Sequence, residues 1–399
     1  MFKSAVLDAP DVLVKAAAKP ARKFELDSLR GLAAVSVVFC HYLNILPAVV
    51  DNPEDGNLWF LICTPLRLFS AGHEAVVFFF VLSGFVLSLP FLRNKQEYPG
   101  FFIKRVCRIW LPYIFAVILA FTCYSLFANA NAAEGLSSWA NRVWASPITF
   151  KVVLNHFLLI GSFQNGTYDP VLWSLVHEMR ISIIFPLLMW MVLRFNWKTS
   201  LLISLAVYAV GRGGDIYFTK FLGMPNDYFM TLQYVYMFIV GILLARHMNF
   251  LGNFFYKQPS VLFRRVILVV ALLLYVYRDL YPGMPSMIVR VAQDFPSTIG
   301  IAIFVIVASA SASASSFLNL KPLVFLGKIS YSLYLLHAIM LFSVIHLSDG
   351  RLSLWLVWGI SLALTAATSV ACYYLIEEPS MKIGKTLASK FSRKPKAAA

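Results

Sequence analysis

Long apolar runs alternate with short polar connections along this chain, and the pattern predicts an all-α polytopic membrane protein. Of ten such runs, most approach or exceed the roughly 20 residues that an α-helix needs to cross the hydrocarbon core, and the fifth and seventh are shorter. They lie near 29–50, 72–92, 109–128, 171–194, 199–211, 228–245, 266–281, 298–316, 329–348 and 353–375. We therefore expect a bundle of about ten transmembrane helices. It forms one domain, residues 25–380, between an N-terminal tail, 1–24, and a basic C-terminal tail, 381–399.

The charge of the chain follows this topology. Charged residues make up 13% of the 399, against about 25% in a soluble domain, and the formal net charge is +15. With the N-terminus in the cytoplasm, 25 Lys and Arg residues fall on the inner side and eight on the outer side. This bias is the positive-inside pattern. It predicts a multi-pass protein of the cell (inner) membrane with both termini cytoplasmic. Because topology accounts for most of the positive charge, no nucleic-acid partner is predicted.

Two ionisable residues in the first run indicate a site. Arg30 stands at its start and His41 lies eleven residues further on. On a helix this spacing is three turns plus about 20°, so both side chains share one face, about 16 Å apart along the axis. Ionisable residues inside spans are rare and tend to be functional. The arrangement suits an elongated ligand with anionic groups at the inner surface and a reactive end deeper, which is the shape of acyl-CoA.

A second pair of cations lies at the inner end of the third run. Arg105 and Arg108 are three residues apart and therefore share a helix face. The planar guanidinium matches phosphate oxygens, so with Arg30 they are predicted to bind the donor. Simple positive-inside anchoring is the alternative explanation.

The fourth run holds the densest set of polar residues. Ser174, His177 and Glu178 follow i, i+3, i+4 spacing and should project from one face, in the outer part of the bilayer. They predict an acceptor site with hydrogen-bonding groups for a sugar, in which Glu178 orients the acceptor hydroxyl. The alternative is that Glu178 only pairs with Arg180, a residue with no evident role.

Other runs contribute further candidates for acceptor-binding or pore-lining groups. Glu74 lies at the outer end of the second run and Ser83 lies deeper within it. Ser330, Tyr334 and His337 form a stripe at i, i+4, i+7 that should face the bundle interior. The five cysteines are scattered, and the chain has no zinc motif or phosphate-binding loop, so no metal or bound cofactor is predicted.

Several stretches together resemble one family. They are "LDSLRGLAAVSVVFCHYL", "VVFFFVLSGFVLS", "WSLVHE", "LGKISYSLYLLH" and "IEEP". In this order and spacing the chain is similar to the membrane-bound acyltransferase 3 family over about 25–380. The resemblance adds Trp173 of the Trp-Ser-Leu-x-x-Glu pattern to the candidate residues. The chain departs from the family pattern in "MRISIIFP", where an aromatic stretch is usual, and we expect no appended hydrolase-like domain of the kind that some members carry.

The resemblance implies transfer of an acyl group, usually acetyl, from acetyl-CoA or another acyl-CoA to a hydroxyl of a glycan, glycolipid or other acceptor. It matches the family's Arg and His to Arg30 and His41, and its basic pair to Arg105 and Arg108. His41 would act either as general base on the acceptor hydroxyl or as a covalent acyl carrier. The alternative function is a multispan transporter or flippase for a lipid-linked sugar. Paired inverted repeats would favour that alternative, and none is evident in the sequence.

Overall fold

The computed structural model describes residues 24–52, 65–93, 97–129, 133–161, 166–224, 226–257, 260–277 and 294–391. Every regular element in these ranges is helical, which confirms the all-α class. Residues 1–23 of the predicted N-terminal tail and 392–399 of the predicted C-terminal tail lie outside them, and the domain boundaries stay predictions. The α-helices, numbered in chain order, are α1 Phe24–Asn44, α2 Pro47–Val50, α3 Gly72–Leu92, α4 Tyr98–Phe127, α5 Phe150–Leu158, α6 Leu172–Arg194, α7 Trp197–Phe221, α8 Asp227–Lys257, α9 Val261–Tyr275, α10 Phe295–Ala310, α11 Ala312–Leu318, α12 Lys321–Ser348, α13 Leu354–Cys372 and α14 Glu378–Ser389.

The first helix ends earlier than the apolar run predicts. It covers Phe24–Asn44, whereas the run covers 29–50. A proline disfavours helical geometry in the residue before it, and Leu46, which precedes Pro47, is extended at φ −84° and ψ 126°. His41 therefore lies in the last turn of α1, where the sequence had placed it near the middle of its span.

The fifth span is longer than predicted. α7 extends to Phe221, ten residues beyond the predicted end of the run at 211. Two charged residues, Arg212 and Asp215, follow the predicted end of the run. In the structure these two side chains pair on one face of the helix, with Arg212 Nη1 3.2 Å from Asp215 Oδ2. The helix continues because each charge has a partner.

Eight helices within the described residues are long and apolar enough to cross a membrane, and α10 with α11 is a ninth candidate. The predicted span 298–316 corresponds to this pair, and it is bent: the two helices meet at 91°. The predicted span 266–281 corresponds to α9, which has 15 residues and is shorter than the roughly 20 needed to cross. Residues 278–293, which follow α9, lie outside the described ranges.

α1 and α12 make the most extensive helix–helix contact among the described residues. Gly31 packs directly on the backbone of Gly327, and a Cβ at Gly31 would lie 2.7 Å from Gly327 N, so this close approach requires glycine. Ten residues further along each helix, His41 meets His337. Because both contacts join residues 296 positions apart, the two helices run parallel.

Parallel packing of α1 and α12 constrains the number of membrane crossings. Two helices point the same way only if an odd number of crossings lies between them. Five long helices, α3, α4, α6, α7 and α8, supply an odd number. If the bent pair crosses as a span, α9 must therefore cross as well, and the total is ten, consistent with the predicted number.

Candidate functional site

His41 of α1 and His337 of α12 form a hydrogen-bonded pair. His41 Nδ1 lies 2.8 Å from His337 Nε2, and the ring centroids are 5.0 Å apart with 16° between the planes. His337 Nδ1 lies 3.0 Å from the carbonyl oxygen of Leu333. A carbonyl oxygen only accepts, so Nδ1 of neutral His337 carries the proton and its Nε2 accepts from His41 Nδ1. This network leaves His41 Nε2 unprotonated, as a general base or nucleophile must be.

Trp139 stacks with the same imidazole. The centroids of the Trp139 and His41 rings are 5.2 Å apart, with 23° between the planes. The connection that carries Trp139 is tied to the end of α1: Ser137 N donates to the carbonyl oxygen of Ile45 at 2.9 Å, and Ser137 Oγ donates to that of Asn44 at 2.5 Å. The sequence did not identify Trp139, because it lies in a long extramembrane connection without helical periodicity.

Arg105 and Glu178 form a largely buried ion pair. Arg105 Nη2 lies 2.6 Å from Glu178 Oε1, and the side chains are 8% and 16% exposed. Ser83 Oγ donates to the same oxygen at 2.8 Å, and Arg105 also donates to Ser182 Oγ at 3.2 Å. The prediction that Arg105 lies at the inner side of the membrane and Glu178 in its outer part is therefore wrong, because the two side chains are in contact. Since α4 begins at Tyr98, Arg105 lies about 10 Å into its helix.

The structure brings the three predicted donor-binding arginines together. Arg30, Arg105 and Arg108, which we call the arginine cluster, lie within electrostatic range of one another and of Glu178. Arg30 Nη1 also pairs with Asp27 Oδ1 at 3.0 Å. Among the described residues, Arg108 is the member of the cluster that has no ion-pair partner within 4.0 Å. Its positive charge is consequently the least compensated at short range.

Glu377 is a neighbour of the cluster that the sequence did not single out. It ends the π-helical turn Tyr373–Glu377, and its side chain is buried, with Ser332 Oγ donating to Oε2 at 2.7 Å. It lies within electrostatic range of Arg108 and Arg30. Single π-turns occur frequently at functional sites. Its signal in the sequence was the "IEEP" stretch, which carried part of the family resemblance but gave Glu377 no role of its own.

Arg180 does not pair with Glu178, so that alternative is wrong. Arg180 Nη2 lies 3.2 Å from Asp227 Oδ1, and the guanidinium donates to the carbonyl oxygens of Gly161 at 2.6 Å and Ile160 at 3.0 Å. Residues two positions apart on a helix point about 200° apart, so Arg180 and Glu178 face different neighbours. Arg180 therefore joins α6 to α8 and to the connection after α5.

The predicted polar face of α6 divides between two neighbours. Ser174 Oγ lies 2.7 Å from Tyr334 OH on α12, and His177 Nδ1 lies 2.8 Å from Thr231 Oγ1 on α8. Ser174 and Glu178 are thus directed towards the helices that carry the histidine pair and the arginine cluster. His177 is directed away from them, because the i+3 position is rotated by about 60° from the face shared by i and i+4.

The remaining members of the α12 stripe and of the fourth-span motif are at least partly buried. Ser330 and Tyr334 are buried, and Ser330 Oγ donates to the carbonyl oxygen of Gly327 at 2.9 Å. Trp173 is half-buried and packs edge-on against His177, with 5.9 Å between centroids. Neither Ser330 nor Trp173 contacts the histidine pair in any hydrogen bond or ring contact seen among the described residues.

Glu74 occupies a separate place beside α1. It is 1% exposed, and neither carboxylate oxygen has a hydrogen-bond partner among the described residues. Arg67 Nη2 lies 3.8 Å from Oε2. Both Arg67 and Glu74 lie within electrostatic range of Cys40. Cys40 and His41 are about 100° apart around the helix, so Glu74 lies beside a different face of α1 from the histidine pair.

Asp169, in the connection before α6, is a further group that the sequence missed. Its side chain is fully buried, Val171 N donates to Oδ1 at 3.4 Å, and Oδ2 has no partner among the described residues. Burial raises the pKa of this carboxyl well above its usual range. Asp169 lies within electrostatic range of Tyr334, next to the histidine pair in α12.

The fold and these contacts define a class of protein: a multi-pass membrane protein with an internal histidine pair and a separate group of arginines. Residues 23–375 match the family Acyl_transf_3, described as an acyltransferase domain. The chain therefore belongs to the acyltransferase 3 family, and it is a membrane-spanning acyltransferase. Membership favours acyl transfer over the transporter alternative.

Two relatives were found. Nodulation protein 10 of Rhizobium leguminosarum bv. viciae is 24% identical over 381 residues, covering 91% of this chain and 95% of that protein. Nose resistant to fluoxetine protein 6 of Caenorhabditis elegans is 23% identical over 390 residues, covering 79% of this chain and 45% of that protein. No solved structure matched the chain.

Proposed function

We propose that this enzyme transfers an acyl group, acetyl in the simplest case, from cytoplasmic acyl-CoA to a hydroxyl of a glycan or glycolipid at the inner membrane. The observation that carries the proposal is the hydrogen-bond network around His41. Leu333 orients His337, His337 orients His41, and Nε2 of His41 is left as the available base. Family membership supports acyl transfer, and the arginine cluster supports an anionic donor.

In the general-base route, His41 is the only group that carries a proton between the acceptor and the leaving thiolate. The acceptor hydroxyl gives its proton to His41 Nε2 while its oxygen attacks the thioester carbonyl carbon. The carbon–sulfur bond then breaks, and the leaving thiolate takes the proton from Nε2. In the covalent alternative, Nε2 attacks the thioester carbon, and the carbon–sulfur bond breaks to release the CoA thiolate. The acceptor oxygen then attacks the acyl carbon, the bond from that carbon to Nε2 breaks, and the hydroxyl proton passes to the thiolate through Nε2. Both routes use the same lone pair of His41.

The arginine cluster fits the anionic part of the donor. Arg30 lies about 16 Å along α1 from His41, so a donor that reaches both needs an extended linker between its phosphates and its thioester. Arg108 is the member best able to bind a phosphate, because its guanidinium can donate a charge-assisted hydrogen bond to a phosphate oxygen. Glu178 Oε1 is occupied by Arg105 and Ser83, so we assign Glu178 to positioning Arg105.

We propose that the acceptor groups lie beside the histidine pair. Ser174 and Tyr334 form a hydroxyl pair near His337, and Glu74, whose Oε2 lies 3.8 Å from Arg67 Nη2, has two carboxylate oxygens without a hydrogen bond among the described residues, beside the other face of α1. Hydroxyl-rich molecules such as sugars present the donors that these oxygens lack. The positive-inside bias supports a location opposite the cytoplasm for the end of α1 that carries His41, so the acyl group would reach an acceptor across the membrane.

The proposal is tested with purified protein and acetyl-CoA carrying a radiolabelled acetyl group. Donor binding and donor turnover, by hydrolysis or by self-labelling, are measured separately. His41→Ala should lower turnover by about 10²- to 10⁴-fold, the usual contribution of general acid–base catalysis, with donor binding retained. His337→Gln should also lower turnover, because Gln does not fix the His41 tautomer in the same way.

His247→Gln serves as the matched control, since His247 lies on α8 outside the site. It should turn over the donor at the wild-type rate. Wild-type turnover in correctly inserted His41→Ala would refute the proposal.

A further inference from the structure

The reacting imidazole has no anionic neighbour in the described part of the chain. Among the described residues, His337 is the hydrogen-bond partner of the His41 ring, and no carboxylate forms a hydrogen bond or ion pair with that ring. In many hydrolases a buried carboxylate stabilises the imidazolium that forms when histidine takes a proton. Here the hydrogen-bond partner is a neutral imidazole, so another group must stabilise the positive charge.

Trp139 has the position for this role. A cation within about 6 Å of an aromatic centroid and over its face is attracted by the ring quadrupole, and tryptophan is the strongest such partner. The Trp139 and His41 rings are 5.2 Å apart and nearly parallel. Trp139 also packs against Phe342 on α12, with 5.6 Å between centroids, so its ring is held against the helix that carries His337.

The connection that carries Trp139 is fixed at both ends. Ser137 bonds to the last residues of α1, and Trp144 N donates to the carbonyl oxygen of Thr167 at 2.8 Å. The indole nitrogen of Trp144 donates to the carbonyl oxygen of Tyr168 at 3.0 Å. An aromatic face held this firmly is preorganised before the charge develops, which is the condition for useful electrostatic stabilisation.

We propose that Trp139 is a positioning residue whose aromatic face stabilises the positively charged His41 ring during acyl transfer. The inference rests on the proposed role of His41, but it holds for both routes. A general base becomes imidazolium when Nε2 takes the acceptor proton, and a covalent carrier becomes acyl-imidazolium when Nε2 bonds to the acyl carbon. The ring is cationic in each case, because Nδ1 keeps its proton towards His337.

The test replaces Trp139 site-specifically by tryptophans with one, two and three ring fluorines. Fluorine withdraws electron density from the face and hardly changes the size of the ring. The single-turnover rate with saturating acetyl-CoA should fall stepwise with each fluorine, while the KM for acetyl-CoA stays constant. Trp139→Leu should lower the rate by about 2- to 30-fold, and Trp139→Phe should lie between Leu and the wild type.

The same fluorinated series at Trp358 is the matched control. This tryptophan is half-buried, as Trp139 is, but its ring packs against Tyr42 and Trp355, at 6.3 and 5.4 Å between centroids, rather than against His41. Its series should leave the rate unchanged. Equal rates throughout the Trp139 series, or an equal decline at Trp358, would overturn the inference. Wild-type turnover in His41→Ala would instead refute the proposed function, so the two failures are distinguishable.

Discussion

Removing one partner of the Arg105–Glu178 pair should destabilise the bundle more than removing both. The pair is short, at 2.6 Å, and its side chains are 8% and 16% exposed. Removing one partner of a buried pair leaves the other charge uncompensated and costs about 3–5 kcal/mol. We therefore expect Arg105→Met and Glu178→Leu each to lower the free energy of unfolding by about that amount.

The double variant removes both charges and should be less damaging than either single variant. Ser182 keeps a partner, because its Oγ also donates to the carbonyl oxygen of Glu178 at 2.7 Å. Ser83 loses its acceptor, and an unsatisfied buried hydroxyl costs about 1–3 kcal/mol. The double variant should thus lose about 1–3 kcal/mol in total.

The measurement is reversible unfolding in mixed micelles for the wild type, the two single variants and the double variant. The control cycle uses Lys382 and Glu378, which are 3.2 Å apart but 69% and 34% exposed. Exposed pairs of this kind contribute about 0.3–0.5 kcal/mol. If the two changes at Arg105 and Glu178 added within about 0.5 kcal/mol, the residues would be energetically independent and the reasoning would fail.

Two further predictions concern the donor and the connection before α6. Arg108→Gln should raise the KM for acetyl-CoA by roughly 10- to 150-fold, from the 1.5–3 kcal/mol of a lost charged hydrogen bond, with Arg93→Gln as the exposed control. Unchanged KM in steady-state kinetics would reduce Arg108 to a topology anchor. Burial raises the pKa of Asp169 in the folded state above the unfolded pKa of about 3.9. The contribution of this carboxyl to stability is therefore fully present below a pH of about 3.9 and is lost as pH rises through the folded pKa. Between pH 4 and 9 the Tm of the wild type should therefore fall by more than the Tm of Asp169→Asn. Parallel curves of Tm against pH for the two proteins would contradict the raised pKa of Asp169.

Local periodicity predicted what depends on a single helix. Arg105 and Arg108 share a face because they are three residues apart, and they do approach Arg30. The end of α1 was misplaced because the apolar run continues past Pro47, although the helix stops at Asn44. A hydropathy pattern does not register one missing backbone donor inside an apolar run.

Partners on different helices were not predictable from spacing. His337 was recognised as part of a polar stripe, but its contact with His41 joins residues 296 positions apart. Arg180 was considered as a partner for Glu178 because the two are close in sequence, yet Asp227 lies where its side chain points. Trp139 had no periodic context at all. Each of these contacts is decided by tertiary packing.

The parallel contact between α1 and α12 has a consequence for the synthesis of the protein. At about 5–20 residues per second, His337 is made roughly 15–60 s after His41. During that interval α1 resides in the bilayer with an imidazole whose hydrogen-bond partner has not been translated. The intervening helices must leave open the position beside Gly31 that α12 finally occupies. Because α12 contacts both α1, which carries Arg30, and α4, which carries Arg105 and Arg108, the arginine cluster and the histidine pair are completed by the same late helix, so each molecule gains its donor site and its transfer site together.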